Sequence, residues 1–81
     1  MKIDTILRNK NTFFKYLEKE LEISFDSLNQ NLENNENWDS LAKLTFVATL
    51  DKQFKIKIDP KDLLKIKKNI DIYNLVLKAS K

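Results

Sequence analysis

The sequence predicts an all-α domain: a four-helix bundle with a long loop between helices one and two and a short third helix. Three observations carry this. Apolar residues recur at three- and four-residue spacing over separate stretches, the period of a helix with a buried face. Between Ser24 and Asn37 that period gives way to Ser27, Asn29, Gln30, Asn31, Asn34, Asn35 and Asn37. Asp59-Pro60 then puts a capping residue and a first-turn proline at the head of a short apolar segment. At 81 residues the chain is one domain, 1–81, which buries only about 60% of the surface its unfolded form exposes, so any active site is small.

In the first helix, expected near 3–21, Ile3, Ile6, Leu7, Phe13, Phe14, Leu17 and Leu21 share a face. Asn9, Asn11 and Thr12 are weak helix formers, and Asn11 or Thr12 offers a cap for a shorter helix from Phe13. The loop that follows has Phe25, Leu28 and Leu32 as apolar pegs, and its length alone draws notice, because loops this long in compact domains usually serve a function or pack on their own side chains.

The second helix opens at Asp39 or Ser40, runs to about Phe54, and carries two apolar rows. Phe46, Val47, Leu50 and Phe54 suit the core; Leu41, Leu44 and Ala48 lie beside Ser40 on another side. Burial of both rows in a bundle and partner contact by the second row are both open at this point. Ile56 and Ile58 alternate with lysines in an extended link, Pro60 starts a third helix of about 60–66, and Lys67-Lys68-Asn69 breaks it. A last helix near 71–79, capped by Asp71 or Asn69, turns Ile72, Leu75, Val76 and Ala79 inward. The expected core is Leu17, Leu21, Phe46, Leu50, Phe54, Leu63, Ile66, Ile72 and Leu75.

Composition excludes much chemistry. With no Cys and no His there is no disulfide, thiolate nucleophile, ordinary zinc site or His-based dyad, and with no Gly there is no glycine-rich phosphate loop. An unassisted enzyme is not expected. The 42% hydrophobic and 33% charged residues are those of a folded, water-soluble chain, and no apolar run approaches the ~20 residues of a membrane span. Met1 to Arg8 lack the apolar stretch and small-residue cleavage site of a secretory signal, so the expected compartment is the cytoplasm. Residues 1–38 carry five Lys/Arg against seven Asp/Glu, whereas residues 39–81 carry ten Lys against five Asp. A basic half suits an anionic partner, but scattered lysines on amphipathic helices more often form a solvated face, and that is the expectation.

Asp39-Ser40-Leu41 stands where the polar loop meets the second helix, which leaves the Ser40 hydroxyl near unpaired N–H groups and the positive end of the helix dipole. A phosphodiester on Ser40 would sit where helix starts hold phosphates, with Lys43 one turn away. Taken alone, Asp-Ser before an apolar run is usually just a cap; the reciprocal capping box is missing, since Ala42 or Lys43 stands where Glu or Gln would.

Trp38-Asp39-Ser40-Leu41-Ala42-Lys43-Leu44, followed by Leu50-Asp51-Lys52-Gln53-Phe54, Ile56-Lys57-Ile58 and Lys65-Ile66, resembles the acyl carrier protein family. The resemblance spans roughly 12–79 and implies a carrier-type bundle that is not an enzyme. It implies that Ser40 is the attachment serine for 4'-phosphopantetheine and Asp39 its acidic neighbour. It also implies that Leu41, Leu44, Thr45, Ala48 and Asp51 meet partner enzymes, which favours partner contact for the second apolar row. The implied partners are a phosphopantetheinyl transferase and acyl-loading and acyl-transferring enzymes of fatty-acid- or polyketide-like biosynthesis, met by a monomer, with no nucleic acid and no membrane. Fatty-acid carriers usually have Gly before Asp-Ser-Leu and an acidic second helix. Asn37 and Trp38 occupy that approach, and Lys43 and Lys52 dilute the acid. The Trp-Asp-Ser-Leu form therefore looks like a specialised carrier with a partner of less basic surface, loading an acyl or an aminoacyl group.

Trp38 is expected to anchor the loop on helix two rather than face a partner, and Tyr16 and Tyr73 are ordinary helix-face aromatics. Two rivals remain from the sequence. One is a non-enzymatic adaptor that binds a partner through Leu41, Leu44 and Ala48, with Ser40 only a cap. The other, a nucleic-acid module using the lysines of residues 52–68, has a single Arg in the chain and no basic-aromatic interleaving to support it.

Overall fold

The computed structural model describes residues 3–25 and 27–80; Met1 and Lys2, part of the stretch read for a signal, lie outside the described residues. Five α-helical segments follow in order: α1 Ile3–Leu7, α2 Lys10–Leu21, α3 Ser40–Phe54, α4 Pro60–Leu63 and α5 Asn69–Ala79, with a 3-10 turn at Leu32–Asn34. Among the described residues there is no strand, only an isolated bridge between Asn31 and Lys68. None of these helices is long and apolar enough to cross a membrane.

The expected first helix is two helices. Asn9 is extended, and its side chain accepts the Thr12 N–H at 2.8 Å while its carbonyl accepts the Phe13 N–H at 3.2 Å. An asparagine competes for backbone partners and favours a cap over a helix interior. The cap is therefore Asn9, ahead of both Asn11 and Thr12. α2 then contacts α1, α3 and α5 and is the centre of the packing.

The expected third helix is shorter than 60–66. Asp59 accepts the Lys61 N–H at 2.9 Å and Pro60 leads, but the helix ends at Leu63 in a turn closed by Leu64 and Lys65. α5 begins at Asn69, two residues early, and its start is held by Asp71 from the third helical position: one carboxylate oxygen accepts the N–H groups of Lys67 at 3.0 Å and Lys68 at 2.9 Å. Those two bonds hold the Asp71 carboxyl below the usual carboxylate range.

The core is larger than the sequence predicts. Leu17, Phe46, Leu50, Leu63 and Ile72 are buried, whereas Leu21, Phe54, Ile66 and Leu75 are only partly so, and Ala79 is exposed. Ile6, Leu7, Phe13, Phe14, Ile23, Leu32, Trp38, Ala42, Ile56, Ile58, Tyr73 and Val76 complete the core. Tyr73 is not an ordinary helix-face aromatic: its hydroxyl donates to the Leu7 carbonyl at 2.6 Å inside the core and ties α5 to the end of α1.

A run of rings crosses this core from α5 to the head of α3. Tyr73 meets Phe13 at 5.4 Å, Phe13 meets Phe14 at 5.2 Å, Phe14 meets Phe25 at 5.4 Å, Phe25 meets Trp38 at 6.3 Å, and Trp38 meets Phe46 at 5.8 Å. Most are edge-to-face, the favoured arrangement for ring quadrupoles, worth about 0.5–1.5 kcal/mol per pair beyond area burial.

Candidate functional site

The loop from Ser24 to Trp38 is held by its own side chains and by α5. Asn35 gives its amide to the Ser24 carbonyl at 3.0 Å, its Oδ1 accepts the Asn37 N–H at 3.0 Å, and its carbonyl accepts the Trp38 N–H at 3.0 Å. Asparagine suits such work because its short amide reaches backbone groups a few residues away. Glu18 on α2 accepts the Phe25 N–H at 2.9 Å. On the other side Leu32 donates to Lys67, Asn69 to Gln30 and Ile70 to Leu28, backbone to backbone, at 2.8–3.0 Å. The loop therefore delivers Trp38 to a fixed place, where its ring is buried between Phe25 and Phe46 as an anchor.

One residue later the chain turns into α3. Asp39 is the cap: its Oδ1 accepts the Ala42 N–H at 2.9 Å, and its carbonyl accepts the Lys43 N–H at 3.0 Å. Ser40 is the first helical residue and is exposed. The N–H groups of Ser40 and Leu41 have no acceptor within the helix, as at any helix start, and they stand at the positive end of fifteen aligned peptides.

The two apolar rows separate cleanly. Phe46 and Leu50 are fully buried and Val47 and Phe54 pack beside them, whereas Leu41 is 72% exposed, Leu44 is 67% exposed and Ala48 is exposed. At about 100° per residue Leu41, Leu44 and Ala48 fall within some 60° of one another. Thr45 flanks them, its hydroxyl donating to the Leu41 carbonyl at 2.9 Å, and exposed Asp51 lies on the Leu44 side. The residues singled out from the sequence thus share one solvent-facing side of α3, with Asp39 and Ser40 at its head.

Sequence reasoning missed a cleft. About 550 Å³ lies between the 3-10 turn, the first turn of α3 and the segment after α4, lined by Asn31, Leu32, Glu33, Trp38, Lys43, Leu63, Leu64, Ile66 and Lys67. Trp38 and Lys43 bracket Ser40 in the chain, so the cleft opens within one helical turn of it. Leu64 is 79% exposed. Its exposure follows from where α4 stops: Leu63, the last helical residue, is buried, and Leu64 lies in the turn beyond it.

No protein-family model matches the chain, and no curated protein and no solved structure matches it either.

Proposed function

We propose that the chain is an acyl carrier protein of a specialised kind, in which Ser40 bears 4'-phosphopantetheine and the domain presents the cargo to partner enzymes in the cytoplasm. The observation that carries this reading is an exposed serine at the first position of a fifteen-residue helix, between a capping aspartate and a row of exposed leucines. A carrier-type bundle is part of the same proposal, supported by the long pinned loop ahead of α3 and the one-turn helix after it.

The residues present fit the group. Modification replaces one bond by another: Ser40 Oγ bonds to the phosphorus that coenzyme A links to phosphopantetheine, adenosine 3',5'-bisphosphate leaves, and the hydroxyl proton passes to the transferase. Asp39 Oδ1 occupies the Ala42 N–H, which leaves the amides of Ser40 and Leu41 and the helix dipole to face the phosphodiester. Trp38 holds the approach in place from inside the core, so that Ser40 is presented on a rigid element. When attached, the arm supplies a thiol that keeps its acyl or aminoacyl cargo activated as a thioester. Leu41, Leu44 and Ala48, with Thr45 and Asp51 beside them, form the face offered to the transferase and the loading and transferring enzymes.

The same exposed leucines favour a second reading, a non-enzymatic adaptor in which Ser40 is only the first residue after a cap. The two readings part at Ser40. A carrier incubated with coenzyme A and a broad-specificity phosphopantetheinyl transferase takes up the arm, and Ser40→Ala abolishes uptake while leaving helicity unchanged. A Ser40→Ala variant that still accepts the arm would sink the assignment, and partner capture indifferent to Ser40 modification would favour the adaptor.

A further inference from the structure

The cleft beside Ser40 combines two properties that a merely apolar pocket lacks. Part of its wall is apolar, from Leu32, Trp38, Leu63, Leu64 and Ile66, with polar side chains between, and its volume of about 550 Å³ is within the ~300–1,000 Å³ of small-molecule sites. It also holds two lysines from different parts of the fold, Lys43 on α3 and Lys67 on the link into α5, against one carboxylate, Glu33. Among the described residues the only ion pair is Lys65 with Asp62, so neither Lys43 nor Lys67 is neutralised by a protein partner. Two lysines without an ion-pair partner, Lys43 half-buried and Lys67 exposed, thus line one cleft and outnumber its single carboxylate, an arrangement that suits an anion.

We infer that this cleft receives an acyl cargo that ends in a carboxylate, with its methylenes against Trp38 and Ile66 and its terminal carboxylate held by Lys43 and Lys67. The inference rests on the carrier reading of Ser40 and names the substrate class for it. A cargo ending in a methyl group leaves both lysines unpaired, and one bearing an ammonium adds a third positive charge. Another anion is within reach, the phosphodiester on Ser40, since Lys43 is three residues along the same helix. The shared chemistry is an anion beside lysine, and the two sources separate by experiment.

A broad-specificity transferase is used to load the full-length protein from coenzyme A, pentanoyl-coenzyme A and glutaryl-coenzyme A, and each product is verified by intact mass. The two acyl groups match in length and differ only in ending in methyl or carboxylate. The thermal midpoint and the emission of Trp38, the sole tryptophan, are then read on each form. The expected result is a midpoint for the glutaryl form about 3 °C or more above both the arm-only and pentanoyl forms, on the scale of one moderate interaction in a domain this size. A change in Trp38 emission should accompany it. Lys43→Met and Lys67→Met should each load normally and lose most of that difference. Equal midpoints for glutaryl and pentanoyl forms overturn the inference while leaving the carrier reading intact. So does a full shift in the arm-only form, which assigns the lysines to the phosphodiester. Absence of mass gain with this transferase and with the native host's own overturns the carrier reading and the inference together.

Discussion

The side-chain amide of Asn69 donates to the carbonyl of Ser27, 42 residues earlier in the chain, at 2.6 Å. The same amide donates to Gln30 Oε1 at 3.1 Å, and Asn69 is fully buried. A residue at the start of the last helix thereby fixes the long loop, and the loop fixes the approach to Ser40 through Trp38.

Asn69→Ala removes both of these part-buried bonds, together with the Asn69 Oδ1, which is buried with no partner among the described residues. A hydrogen bond contributes about 0.5–1.5 kcal/mol net, so a urea titration should show a loss of about 1–2 kcal/mol, with the Trp38 emission of the folded state shifted as the loop loosens. Unchanged stability would mean that the loop is held by its backbone bonds alone.

The two tyrosines predict opposite outcomes for one substitution. Tyr73→Phe removes the bond to the Leu7 carbonyl and should cost about 1–2 kcal/mol. The Tyr16 hydroxyl is buried with no partner among the described residues, and its pKa is raised by burial and by the charge of Glu20. Tyr16→Phe should be neutral or stabilising by up to about 1 kcal/mol. Thermal midpoints of the two variants side by side check both, and equal losses would contradict the packing described.

Among the described residues, two take the left-handed conformation at helix ends: Glu22 after α2 with φ 56° and Lys55 after α3 with φ 58°. In a chain without glycine these turns are made at a cost of about 1 kcal/mol each. The N–H of Lys55 closes α3 on the Asp51 carbonyl at 3.0 Å. Lys55→Gly should therefore stabilise by about 0.5–1 kcal/mol, measured by thermal or urea unfolding, whereas Lys55→Ala should gain nothing.

Asp71 makes stability depend on acid. Its folded pKa is depressed by the N–H groups of Lys67 and Lys68, so its contribution is present in full above the unfolded carboxylate pKa of about 3.9 and is lost as pH falls through the lower folded value. Asp71→Ala should cost about 1 kcal/mol at pH 7, and the difference from wild type should shrink below about pH 4. A difference that stays constant down to pH 2 would show that charge on Asp71 is irrelevant.

What the residues disclosed in advance was local. Asp39, Asp59 and Pro60 announce helix starts through chemistry within three residues, and α3 ends at Phe54 as its apolar period requires. The separation of Leu41 and Leu44 from the core row of Phe46 and Leu50 was also legible, although whether the second row was buried too was decided by what packs against the helix. The break at Asn9 was half legible: Asn9, Asn11 and Thr12 are weak helix formers, but the apolar face resumes in register at Phe13, so α1 and α2 read as one helix with a cap at Asn11 or Thr12 as the alternative. Asn69 read as a breaker because its partners, Ser27 and Gln30, are some forty residues away. The cleft was invisible for the same reason: Leu32, Lys43 and Lys67 meet only when the loop, α3 and the link into α5 are brought together.

The measurement that bears most directly on the carrier reading is the intact mass of wild type and Ser40→Ala after incubation with coenzyme A and a phosphopantetheinyl transferase, the native host's own included. The expected result is the mass of one added phosphopantetheine on wild type, mapped to the peptide containing Ser40, and none on Ser40→Ala with an unchanged circular dichroism spectrum. Wild type that gains no mass with the native transferase, or Ser40→Ala that gains as much as wild type, would contradict it.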